Sequence, residues 1–163
     1  MLDFPSRLAG HILSCILVFT SSNGASELQE VSFRAKVHKY LEKEPQDSFS
    51  KIKKQLEEGL FSNHYGKPLN YIEALLEKLE ISKHSQQLVF STTSLQLSRI
   101  SPRNPRAIYF NDDLYLGYVP GGQIEVIGID PEIGAIPYIF SPPLTHDISW
   151  RPNVIRSKRC MNC

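Results

Sequence analysis

Ala107 to Phe140 reads AIYFNDDLYLGYVPGGQIEVIGIDPEIGAIPYIF, and its punctuation decides the fold. Four apolar and aromatic runs, Ala107 to Phe110, Leu114 to Val119, Gln123 to Ile129 and Ala135 to Phe140, are separated by Asn111-Asp112-Asp113, Pro120-Gly121-Gly122 and Asp130-Pro131-Glu132-Ile133-Gly134. The separators are built from turn residues. Gly reaches positive φ without strain, Pro fixes φ, and Asn or Asp bonds its own backbone two residues on. Connections this short join antiparallel neighbours, so the stretch predicts a meander. Upstream, Leu88-Val89-Phe90 is a further short strand. The intervening Ile100-Ser101-Pro102-Arg103-Asn104-Pro105-Arg106 is predicted to be extended, because its two prolines exclude helix.

Before the strands the period is helical. Phe33, Val37, Tyr40 and Leu41 fall on one face of a segment that Pro45 ends. Asp47 or Ser48 can cap a second segment that carries Phe49, Ile52 and Leu56 to a stop at Gly59. Pro68-Leu69-Asn70 opens a third, with Ile72, Leu75, Leu76 and Leu79 as its apolar stripe. Helices followed by strands predict an α+β domain over residues 26–143, with the N-terminal helices packed on one face of an antiparallel sheet of about four to five strands. Past Pro142-Pro143 the chain turns polar and basic. Residues 144–163 are expected to be an irregular tail, in which Arg151, Arg156, Lys158 and Arg159 lead up to the terminal cysteines.

The first 25 residues have the grammar of a secretory signal. Arg7 is followed by an apolar stretch, Leu8 to Thr20, and then by Ser21-Ser22-Asn23-Gly24-Ala25, with cleavage expected after Ala25. That run is too short to span a bilayer, which takes about 20 apolar residues, so contact with membrane is expected only during export. A lipoprotein reading through Cys15 is weaker, because too much apolar sequence follows that Cys. Periplasmic or secreted localisation follows from the signal. Across all 163 residues, 18 Lys and Arg face 17 Asp and Glu, a formal charge of +1 that provides no general attraction for nucleic acid.

Of the three cysteines, cleavage would remove Cys15 and leave Cys160-Met161-Asn162-Cys163. A Cys-x-x-Cys pair serves a redox disulfide, half of a zinc site or, where His follows at once, the covalent attachment of a c-type haem. A redox role favours a helix starting at the first thiol, and zinc needs further ligands, of which His146 is the nearby candidate. Inert terminal thiols are the fourth possibility. In that case the domain is a non-enzymatic ligand- or partner-binding module of the envelope. The remaining chemistry-bearing types have plainer readings. Asp112-Asp113 could be paired carboxylates for hydrolysis but sit where a turn is needed, His38, His64, His84 and His146 are scattered, and Gly121-Gly122 is a turn rather than a phosphate cradle.

The runs Ser85 to Gln96 and Ile100 to Asp113, with Tyr118-Val119-Pro120-Gly121-Gly122 and Ile129 to Ala135, resemble the N-terminal region of secreted bacterial proteins of uncharacterised role that contain a cytochrome c domain. In that family an Arg-Pro and a short basic stretch lead into Cys-x-x-Cys-His. Arg151-Pro152 and then Cys160-Met161-Asn162-Cys163 stand here in that order, and the resemblance covers about residues 45–163. It implies one haem c bound through Cys160 and Cys163, with the axial His next in a longer protein. It further implies electron transfer or redox sensing with a partner redox protein rather than enzymatic turnover. Oligomeric state is not legible.

Overall fold

The structure, a computed structural model, describes residues 39–90 and 94–162. The stretch expected to be an export signal, His38, Cys163 and most of the first stretch expected to be helical, with Phe33 and Val37, lie outside these residues. Of that stretch, Tyr40 to Glu42 form a turn entered through Lys39 at φ +47°, and they divide their surfaces. Tyr40 is buried, whereas Leu41, expected on the same apolar face, is exposed.

Helix α1 spans Ser48–Glu57. Its start is fixed by Asp47, an extended residue whose Oδ1 accepts hydrogen bonds from the N–H groups of Phe49 and Ser50 at 3.0 and 3.1 Å. Two of the donors that a helix leaves unpaired at its N-terminus are thereby satisfied. Phe49, Ile52 and Leu56 form its buried stripe, and Gly59 past its end adopts φ +100°, a conformation that costs other residues strain. Helix α2, Pro68–Lys78, opens on a proline whose missing N–H would have had no helical partner. It buries Tyr71, Ile72, Leu75 and Leu76. Truncating fully buried Leu75 to Ala would cost about 2–5 kcal/mol.

Strands β1 (Gln87–Val89), β2 (Arg106–Phe110), β3 (Leu114–Tyr118), β4 (Ile124–Asp130), β5 (Gly134–Phe140) and β6 (Ile155–Arg156) form one antiparallel sheet in chain order. The fold is therefore α+β, with six strands rather than four or five. The additional strand, β6, comes from the segment expected to be irregular. Two residues carry no readable period; they are held by pairing with Tyr138 and Ile139 and by burial of Val154. Arg156 also places its guanidinium 4.3 Å above the Tyr40 ring and donates to the carbonyls of Tyr40 and Lys43, while the Tyr40 hydroxyl donates to the Ala135 carbonyl at 2.8 Å.

One face of the sheet and the helices form the core. Leu114, Leu116, Tyr118, Ile124, Val126, Ile136, Tyr138 and Phe140 point inward, and Phe49 of α1 sets its ring 4.8 Å from Tyr138 and 5.9 Å from Phe140. Beside this contact the Tyr138 hydroxyl donates to Asp47 Oδ2 at 2.5 Å, which joins the helix cap to the sheet. Burial, and then that bond to Asp47, push the Tyr138 pKa well above its ordinary value. The carboxylate lies over Gly128 of β4, in the space a Cβ at that position would need.

Candidate functional site

The other face of the sheet carries the candidate site. Because side chains alternate along a strand, Ile124 and Val126 face the core while Glu125 and Ile127 point outward. Glu125 is half-buried there. Its Oε2 accepts from Arg106 Nη1 at 2.8 Å, and its Oε1 accepts from Ser94 Oγ at 2.6 Å and Gln96 Nε2 at 3.0 Å. Gln96 also bonds the backbone of Gln123 in both directions, through Nε2 at 3.0 Å and Oε1 at 2.5 Å. The segment Ser94 to Gln96 is thereby fastened over part of the outer face. No sequence motif links Arg106 to Glu125. The available signal is a single acidic residue inside the apolar run of β4, at the phase opposite its core residues.

Cys160 belongs to a short 3-10 turn, Arg159–Asn162, directly after β6. Ser157 connects it to the sheet, its N–H donating to the Pro137 carbonyl at 2.8 Å and its buried Oγ accepting from the Cys160 thiol at 3.2 Å. The thiol is free and half-buried. It helps line a cavity of about 240 Å³ whose wall includes Leu95, Arg106, Glu125, Ile127 and Pro137. The tail expected to be irregular thus places the first cysteine of the pair against the outer face of the sheet. Cys163 lies outside the described residues.

The other candidates are spread over the molecule. Asp112 and Asp113 are exposed, and Asn111 Oδ1 accepts the N–H groups of Asp113 and Leu114 at 3.0 and 2.9 Å, as a turn between β2 and β3 requires. His146 packs its ring over Gly66 ahead of α2. Among the described residues no three His, Cys, Asp or Glu side chains gather to hold a metal ion. Gly121 takes φ +76° in the turn after β3, closed by the Gly122 N–H to the Val119 carbonyl at 2.8 Å. No described helix is long and apolar enough to cross a membrane.

Comparison with family models, curated proteins and solved structures finds no match to this chain.

The donor set can be weighed against haem c on its own chemistry. Thioether attachment needs a reduced, accessible thiol beside apolar surface, and Cys160 has both attributes. Of the two thiols that haem c would need, the described residues include one, Cys160, beside a largely apolar wall.

Proposed function

We propose that the chain is the N-terminal part of an exported c-type cytochrome-like protein that serves electron transfer or redox sensing. Cys160 and Cys163 are its haem attachment points, and a His in the next position of the reading frame is the axial ligand. The observation that supports this reading is the free Cys160 thiol, tied to β5 through Ser157 and lining a cavity walled by Leu95, Ile127 and Pro137 beside the Arg106–Glu125 pair. Cys160 and Cys163 would hold the group as thioethers without a net oxidant, sulfur going to one vinyl carbon and hydrogen to the other. When bound, the haem supplies one-electron chemistry at iron. The role of this chain is to hold the thiol at the sheet edge and to keep water from that side. Sequencing the frame beyond the Cys163 codon tests the reading. Any residue other than His removes it.

A second reading, a binding module with incidental thiols, is favoured by one feature, the exposed apolar side chains of the outer sheet face. It predicts that replacing Cys160 and Cys163 by Ser leaves both stability and ligand or partner affinity unchanged.

A further inference from the structure

We infer that the outer face of the sheet is the wall on which the tethered haem packs, along the exposed row Ile127, Tyr115 and Phe110, which starts beside buried Pro137. This inference rests on the haem reading above and adds to it which residues of this domain the ring meets.

Three observations carry it. Strand register places the four residues side by side, since Pro137 pairs with Ile127, Ile127 with Tyr115, and Tyr115 with Phe110. At about 4.8 Å per strand the row together with Pro137 runs about 14 Å across the sheet. It begins where Cys160 stands, because the thiol shares its cavity with Pro137 and Ile127. The row is also apolar where a solvated sheet face would alternate to polar. Ile127, Tyr115 and Phe110 keep 40%, 44% and 39% of their surface exposed, and the last two rings stack at 6.0 Å with 26° between planes. Contiguous exposed apolar surface of this kind marks a contact site.

Charge complements the apolar row. Arg106 and Glu125 share that cavity wall as an ion pair with no net charge, so the cations left to meet an anion follow β6. Exposed Lys158 and Arg159 precede the thiol directly. A planar apolar body bearing two carboxylates, tethered at Cys160, matches cations at one end of an apolar row. A protein partner covering the same face would have no need to begin at the thiol.

The test uses the protein expressed from its intact reading frame with haem-ligation machinery. Ile127→Glu and Tyr115→Ser are compared with Leu69→Glu, a control on an exposed position of α2. Acid-organic extraction measures covalent attachment, and circular dichroism of the Soret band measures packing of the ring against the protein. The expected result is full attachment in all four proteins, with the Soret Cotton effect at least halved in both row variants and unchanged in the control. Full attachment with an unchanged Soret signal in both row variants overturns the packing inference and leaves the haem reading standing, with a protein partner as the occupant of the row. Absence of covalent haem in the parent overturns both. If Ile127→Glu fails to fold, Tyr115→Ser decides.

Discussion

Replacing Asp47 by Ala should be among the most damaging single changes in the domain, and the structure supports an estimate of its size. Asp47 caps α1 through two backbone N–H groups and accepts the buried Tyr138 hydroxyl from the sheet. Loss of an N-cap costs about 0.5–2 kcal/mol, and stranding a buried hydroxyl about 1–3 kcal/mol, so Asp47→Ala should cost about 2–4 kcal/mol. The two contributions separate in a double-mutant cycle. In Asp47→Ala with Tyr138→Phe no hydroxyl is left unpaired, and the double variant should be about 1–2 kcal/mol more stable than the sum of the single losses predicts. Gly128→Ala tests the same joint from below, since its Cβ would enter the space of the Asp47 carboxylate. Its cost should fall when combined with Asp47→Ala, which makes room. Urea unfolding followed by far-UV circular dichroism measures each value, with an unchanged m confirming the same transition. An Asp47→Ala cost below about 0.5 kcal/mol, or strict additivity in both cycles, would refute this account of how helix and sheet are joined.

Three further predictions follow from the electrostatics. Burial raises the pKa values of Tyr40, Tyr65, Tyr71, Tyr118 and Tyr138, so their neutral forms are favoured by folding. That contribution is intact below the unfolded tyrosine value of about 10 and is lost as pH rises past it, so ultraviolet titration should show these phenols ionising together with unfolding. Stepwise ionisation with the fold retained would contradict it. For Asp130, 4% exposed, burial opposes ionisation, but the N–H groups of Gln46, Ile133 and Glu132 outweigh it and hold the pKa below the ordinary value. Its stabilisation is present above the unfolded value of about 3.9 and is lost as pH falls through the folded one. Asp130→Asn should therefore be destabilising at pH 7, with the gap to the parent closing in acid; a gap constant from pH 7 to pH 2 argues against the assignment. Glu125→Gln, which leaves the Arg106 charge without its partner at 12% side-chain exposure, should cost about 2 kcal/mol and speed proteolysis around Leu95 to Leu97. Adding Arg106→Met should recover most of that loss, and failure to recover it would show that the stranded Arg106 charge is not the source of the cost.

Local chemistry decided what was legible in the sequence. The meander could be read because each turn carries its own Gly, Pro or Asx signature and each strand exceeds four residues. The helix starts could be read because Asp47 and Pro68 act on their own backbones. Strand β6 could not, since two residues have no period and their placement depends on Tyr138, Ile139 and Tyr40, distant in sequence. The buried positions within the otherwise irregular C-terminal tail are not legible for the same reason, as basic composition hides the burial of Val154 and Ser157. At the site, the Cys pair was visible as a motif, whereas the Arg106–Glu125 pair and the wall beside Cys160 arise from register across β2, β3 and β4.

The central claim concerns Cys160 and Cys163, and one measurement reaches it most directly. Protein produced from the intact reading frame together with haem-ligation machinery should retain haem through acid-organic extraction, and replacing both cysteines by Ser should abolish that retention. Haem that extracts completely from the parent protein, or that is retained equally without the two thiols, would contradict the account.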